Sequence, residues 1–199
     1  DADVVHGLRA RKNRPAKPFA VMVADLDGAR SVVEVSDSAA TALQSPAAPI
    51  VLLPRVGSLV SAAVAPGLAD LGAMLAYTPV HHLIFDRLAR SGGAVPLVMT
   101  SANQGGSPIV YRDEDLGWIN GLADAVLAHD RPIGVPCEDS VVTLDDEGRE
   151  LPLRRSRGYA PLPVTVDLPA GETLLATVDL PAGETLLATG GDLKTTFCL

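Results

Sequence analysis

Three apolar runs of strand length constrain the fold of this chain more than any other feature. They are PFAVMVA (18–24), PIVLLP (49–54) and VPLVMT (95–100). Each is bounded by Pro, Gly or Asp, and each is too short for a buried helix. Between them lie helical patterns. Val4, Val5 and Leu8 stand at helical spacing in residues 3–12, and Pro15 ends that pattern. Ser36 or Asp37 is placed to cap a short helix running through Leu43. Residues 79–90 predict a helix capped by Thr78, opened by Pro79 and stopped by Gly92 and Gly93. A further helix is predicted over 113–122. Asp27-Gly28 is a turn signal before the polar–apolar stretch RSVVEVS. AVLAHD (125–130) continues the pattern, and DSVVTLDDEGRE with LPLRRS forms a hairpin around Glu147-Gly148. The elements mix without strict βαβ alternation, so the expected class is α/β, with α+β character: a twisted mixed sheet covered by helices.

With 199 residues, 47% of them hydrophobic, the chain is long enough for one full domain and part of another. Its net charge of −8 argues against a broad grip on a nucleic-acid backbone, which needs clustered Lys and Arg. The longest apolar stretch, SLVSAAVAPGLADLGAMLA, is broken by Pro66 and Asp70, and no membrane span is predicted. Cys137 and Cys198 fit neither a disulfide framework nor a zinc site, so a cytoplasmic location and no metal site are expected. VDLPAGETLLAT occurs at 166–177 and again, letter for letter, at 178–189. Two copies do not make a solenoid, and the repeat is expected to be functionally silent.

Neither a GxxxxGK loop nor a GxGxxG turn occurs, so a nucleotide would have to be held by other means. The basic cluster RARKNRPAK places Lys12 and Arg14 two apart. Taken alone it is a solvated surface. Thr78-Pro79 taken alone is a helix cap, yet a helix start also offers unpaired N–H groups to an anion. MTSANQGGSPI, directly after the apolar VPLV, is the least ordinary segment. A turn would account for the glycines but does not require Thr, Ser and Asn where a strand ends. His81 and His82 are adjacent and lie on different sides of a helix, which speaks against a shared metal.

Taken together, RKNRPAKPFAVMV, APIVLLP, APGLADLGAMLAYTPVHHLIF, PLVMTSANQGGSPIV, LAHDRPI, EDSVV and LPLRRSRGYAPLPV stand in the order and spacing of one family. The chain resembles the YrdC-like domain of the hydrogenase-maturation carbamoyltransferases, the HypF family. LLATGGDLKTTFCL is similar to the start of the Kae1-like domain that follows there. The resemblance implies a YrdC-like carbamoyl-adenylate-forming domain over 1–163, without its N-terminal strand, a linker with the duplicated segment over 164–189, and a truncated Kae1-like start over 190–199. It implies ATP and Mg²⁺ as cofactors, with carbamate derived from carbamoyl phosphate as substrate. Its partner would be an acceptor protein that takes the carbamoyl group on a C-terminal Cys, a cyanide-ligand precursor for nickel–iron hydrogenase.

Residue by residue, the resemblance gives Lys12 and Arg14 to the triphosphate. Ser101 and Asn103 go to nucleotide and carbamate, with glycines that let the backbone approach the ligand. Tyr77 and Thr78 form a wall, Ser140 supplies an opposite hydroxyl, and Arg157 closes the site; no residue is assigned as a catalytic group. The sequence departs from the family pattern at Pro136 and Thr143, where basic residues are usual, and at Ala76, where Pro is usual. The same two domain types also serve small-molecule O-carbamoyltransferases, a threonylcarbamoyl-adenylate synthase is a third enzymatic alternative, and a non-catalytic nucleotide-binding module is the alternative outside enzymes.

Overall fold

The structure is a computed structural model that describes residues 1–93 and 95–162, and beyond them the backbone of two short strands. The first compact unit, Asp1–Pro163, is built on six strands: β1 (Ala20–Val23), β2 (Ile50–Pro54), β3 (Asp70–Leu75), β4 (Leu97–Met99), β5 (Val141–Leu144) and β6 (Glu150–Arg154). They form one sheet in the order β4-β1-β3-β2-β5-β6. β1 runs parallel to β3 and β2 parallel to β5, while the β1–β4, β2–β3 and β5–β6 pairs are antiparallel. The expected mixed sheet is present.

β3 is the strand that the sequence reading missed, and it lies between β1 and β2. Its residues, DLGAML, are poor strand formers by composition, and tertiary packing overrides that preference. Gly72 is needed there: a Cβ would stand 2.9 Å from Ile50 Cγ2 on the neighbouring strand. Three other elements differ from expectation. Asp27-Gly28 is not a turn but lies inside a short helix α2 (Leu26–Arg30), because the Asp25 carboxylate accepts from Gly28 N at 2.9 Å and caps it. The helix expected over 113–122 is a 3-10 helix, Asp113–Ile119, and residues 125–130 form no strand. The hairpin does form, with Asp145 accepting from the Glu147 and Arg149 N–H groups and Gly148 at φ 78°.

One sheet face is closed by α1 (Ala2–Lys12), α2 and α3 (Asp37–Leu43), the last capped by Ser36 as expected. Val21, Val23, Val51, Leu53, Leu71, Ala73 and Val142 form the core on this side. The other face carries Met22, Met74 and Ala76, against which Phe85 of α4 (Pro79–Arg90) packs. Ile50 and Leu52 of β2 and the whole of β4 stay half-buried, so this second face is only partly covered.

The inner stripe of α1 is Val5, Arg9 and Lys12, at i, i+4 and i+7. Val4, read from the sequence as part of the apolar face, is exposed. Two cations thus point inward from the last turns of the helix, where its C-terminal partial charge favours them. Asn13 at φ 48° ends the helix in the left-handed conformation.

The second unit, Val164–Leu199, is described only at Ala188–Thr189 and Phe197–Cys198, which pair antiparallel. The duplicated segment and linker assigned to 164–189, and the domain start assigned to 190–199, otherwise lie outside the described residues. No helix among the described residues is long and apolar enough to cross a membrane.

Candidate functional site

The end of α1 meets the segment after β4. Lys12 Nζ lies 2.6 Å from Ser101 O, 2.6 Å from Asn103 O and 3.3 Å from Asn103 Oδ1. Ser101 Oγ donates to the same Asn103 Oδ1 at 2.6 Å, and Asn103 Nδ2 donates to Ser107 O. The main chain closes the junction: Gly105 N donates to Lys12 O at 3.0 Å. A Cβ on Gly105 would stand 3.0 Å from Lys12 O and 3.1 Å from Asn13 O. Of the two glycines after TSAN, Gly105 therefore permits close approach of two backbones, and Gly106, at φ 87°, makes the turn.

Arg14 extends from the loop after α1. Its guanidinium donates to the carbonyls of Lys17 and Pro18 and lies 4.9 Å from the centre of the Phe19 ring. Sequence reasoning missed Arg9, which holds this loop in place. Arg9 is buried, stacks on the same ring at 4.6 Å, and donates to Ala63 O, Val64 O, Arg14 O and Lys17 O at 2.8–3.0 Å. Its signal was helical spacing: it follows Val5 by four and precedes Lys12 by three.

Electrostatically this corner is cationic. Burial holds the Lys12 ammonium below its ordinary value, and Arg14 pushes it further down. Arg14 is lowered by burial and then by Arg9 and Arg154. The charges in play at both groups are cations, and an anion placed beside them would relieve the repulsion.

A second group forms where β3 ends and β2 and β5 begin. Arg157 Nη1 donates to Ala47 O at 2.7 Å, and its Nη2 donates to Ala48 O at 2.9 Å and to Asp139 Oδ1 at 2.8 Å. The guanidinium lies 3.9 Å from the centre of the Tyr77 ring, whose other neighbour is His81, edge-on with centroids 4.8 Å apart. Ser140 is fully buried; its hydroxyl donates to Arg157 O at 2.9 Å and accepts from Ser156 N at 2.7 Å. Thr78 Oγ1 accepts from His81 N at 3.3 Å, the cap that its sequence predicts. Asp139 and His81 are the members of this group that sequence reasoning did not assign.

The eight residues singled out from the sequence thus fall into two groups. Lys12, Arg14, Ser101 and Asn103 stand at the start of β1 and the end of β4, where Ala20 pairs with Met99. Tyr77, Thr78, Ser140 and Arg157 stand at the opposite end of the sheet, beyond the last residue of β3 and beside the start of β2 and β5, where Val23 pairs with Leu75 and Ile50 with Val141. At about 3.3 Å per residue, the length of β1 separates the two levels by roughly 10 Å.

His81 gives a pH signature. Burial lowers its pKa from the ordinary 6.5, Asp139 opposes that, and His82 and Arg157 add to it. Its Nδ1 is buried without a hydrogen-bond partner among the described residues. A histidine lowered on folding binds its proton less readily in the native than in the unfolded chain. Its stability contribution is complete above pH 6.5 and is lost as pH falls from 6.5 through the lower native value. An NMR titration of His81 is expected to give a midpoint below 6.5, and His81→Gln should flatten the acid side of the stability profile. A midpoint above 6.5 would mean that the attraction of Asp139 outweighs burial.

Comparison with known proteins follows the same lines. The Sua5/YciO/YrdC family model, described as "Telomere recombination", matches residues 1–156. Carbamoyltransferase HypF of Rhodobacter capsulatus is 46% identical over 201 aligned residues, which cover 100% of this chain and 24% of that protein. HypF of Rhizobium leguminosarum bv. viciae is 44% identical, covering 96% and 24%. The chain thus spans about a quarter of the length of these relatives. Among solved structures, full-length HypF in the phosphate- and nucleotide-bound form superposes with a TM-score of 0.75 at 38% identity, covering 81% of this chain and 25% of that one. Sua5 of P. abyssi complexed with L-threonine has a TM-score of 0.64 at 18% identity over 78% of this chain and 45% of its own, a likeness of fold.

Proposed function

The chain belongs to the Sua5/YciO/YrdC family, and on that premise we propose that it performs the adenylating half of a carbamoyl transfer, as part of a carbamoyltransferase for hydrogenase maturation. The observation that carries the reading is the cationic corner at Lys12 and Arg14, beside the Ser101–Asn103 segment at a strand end. Lys12 is buried and Arg14 half-buried, both are held below their ordinary values first by burial and then by neighbouring cations, and such a corner gains from a polyanion, of which the phosphates of ATP are one. The similarity to HypF, including a phosphate- and nucleotide-bound structure of that protein, supports the same choice.

In the proposed step a carbamate oxygen attacks the α-phosphorus of ATP. A new P–O bond forms, the bond to the oxygen bridging α- and β-phosphorus breaks, and pyrophosphate leaves with the electron pair. Carbamoyl-adenylate is the product, and no residue of this chain becomes covalently attached. Arg14 and the charge of Lys12 stabilise the negative charge that builds on the departing pyrophosphate. Tyr77, Thr78, Ser140 and Arg157 are assigned to the far part of an elongated nucleotide: they lie roughly 10 Å further along the strand direction and are offset across neighbouring strands about 4.8 Å apart. Magnesium would arrive with the nucleotide and would supply charge neutralisation at its phosphates; no residue of this chain is assigned to it.

We assign 1–163 to the adenylating domain, 164–189 to a linker and 190–199 to the start of a Kae1-like domain. Carbamate is taken as derived from carbamoyl phosphate, the acceptor as the C-terminal Cys of a partner protein, and the setting as the cytoplasm. With ATP, Mg²⁺ and carbamate, the chain is expected to exchange labelled pyrophosphate into ATP, and Arg14→Ala should suppress the exchange. Losing one charge-assisted contact costs about 1.5–3 kcal/mol, or roughly 10- to 100-fold. Saturable ATP binding without exchange would replace this reading with a non-catalytic nucleotide-binding module. Exchange that depends on added threonine would replace it with a threonylcarbamoyl-adenylate synthase.

A further inference from the structure

We propose that Lys12 is a positioning residue that sets the hydrogen-bond polarity of the Ser101–Asn103 pair, turning the Ser101 hydroxyl into an acceptor that selects a carboxylate ligand bearing an N–H group. The naming of that ligand as carbamate rests on the reading above; the polarity does not.

What each group can donate fixes the direction of every bond here. A lysine ammonium has three N–H donors and no acceptor. Lys12 Nζ faces three oxygens, Ser101 O, Asn103 O and Asn103 Oδ1, so its donors are used. The Asn103 side-chain atom facing it must be the carbonyl oxygen, because the alternative orientation would set an NH₂ group against an ammonium. That choice turns Nδ2 towards Ser107 O, where it has an acceptor. Asn103 Oδ1 cannot donate, so Ser101 Oγ, 2.6 Å away, must give its single proton to it. Ser101 Oγ is left with lone pairs only. Ser101 and Asn103 are both only partly buried, which leaves room for a ligand to approach.

The oxygens of a phosphate or a carboxylate at neutral pH are mostly acceptors, and they find no partner at such a hydroxyl. The amino group of carbamate does. Lys12 in turn has no N–H left for a phosphate oxygen and acts on the nucleotide through its charge alone, leaving Arg14 as the direct contact. Gly105 locks the arrangement from the main-chain side, since its N–H takes Lys12 O and a side chain there would crowd that carbonyl.

Pyrophosphate exchange with this chain tests the proposal, using carbamate and acetate in parallel, because acetate keeps the carboxylate and replaces the amino group by methyl. Wild type should favour carbamate by about tenfold, the worth of one hydrogen bond in a partly buried site. Lys12→Met and Ser101→Ala should both erase that preference. Asn103→Asp, which keeps an acceptor facing Lys12 and Ser101, should retain it even where the total rate falls. If Lys12→Met lowers exchange with both carboxylates equally and raises the KM for ATP, Lys12 is a phosphate ligand and the proposal is wrong. If wild type exchanges with neither carboxylate, the adenylation reading fails, and amide hydrogen exchange of the ligand-free protein decides the polarity network. Lys12→Met should then speed exchange at Asn103, Gly105 and Ser107 and leave the strands of the sheet unchanged. Equal rates in variant and wild type would overturn it.

Discussion

Replacing Arg157 by alanine is expected to lower the thermal midpoint of the folded unit by roughly 6–12 °C, at about 2–4 °C per kcal/mol for a domain of this size. The loss comes mainly from two backbone carbonyls. Ala47 O and Ala48 O each accept from this guanidinium, Ala48 is buried, and an acceptor left unpaired costs about 1–3 kcal/mol. The ion pair with Asp139 adds little, because the Asp139 side chain is 39% exposed and water will solvate it. Contact with Tyr77 adds about 0.5–1 kcal/mol at a partly exposed site. The total is about 3 kcal/mol. Arg157→Lys should recover less than half of it, since a lysine brings charge without the planar fork that spans two carbonyls. A midpoint within about 2 °C of wild type for Arg157→Ala, less than the effect of 1 kcal/mol, would mean that the 45–48 segment is held by something else.

How far such contacts are visible in the sequence depends on what causes them. The strands β1, β2 and β4 and the helices α3 and α4 follow from local signals: an apolar run, a Ser or Thr cap, a Pro at the helix start. β3 does not, because DLGAML acquires its strand conformation from pairing on both sides, and Gly72 is there for a neighbour distant in the chain. Arg9 shows the same limit. Its helical position is legible, yet its role depends on carbonyls at Ala63 and Val64, which only the folded chain brings to it.

The candidate site was legible as residue types and illegible as connections. Lys12, Ser101 and Asn103 could be named from the sequence, but the bonds from Lys12 to the other two arise where the end of α1 meets the segment after β4. Under the proposal above, those bonds give Lys12 the part of orienting its neighbours. Likewise Arg157 could be singled out by resemblance, while its partners at 47, 48 and 139 are set by how the turn after β6 packs on the chain before β2 and before β5. Asp139 joins that group through a contact that no local pattern encodes, whereas His81 meets Tyr77 and Thr78 at the local spacings of a helix start.

That packing makes Gly158 the other position of large effect. Its φ is +80°, and an ideal Cβ would stand 2.5 Å from Ala47 Cα and 2.5 Å from Ala47 Cβ. Both atoms belong to the main chain or its first side-chain carbon, so no flexible group can swing aside. Gly158→Ala is expected to cost about 3 kcal/mol, combining overpacking of about 1–3 kcal/mol with about 1 kcal/mol for a left-handed alanine. Gly67 separates the two contributions: its φ is +74° but nothing lies within 4 Å of its Cβ position. Gly67→Ala should therefore cost only about 1 kcal/mol. Arg157 and Gly158 act on one junction, so the double variant should cost less than the sum of the singles, with a coupling of about 1–2 kcal/mol measured by denaturant unfolding. Full additivity would show that the guanidinium and the glycine support Ala47 independently, and a Gly158→Ala variant no less stable than Gly67→Ala would show that the turn can move off Ala47 at little cost.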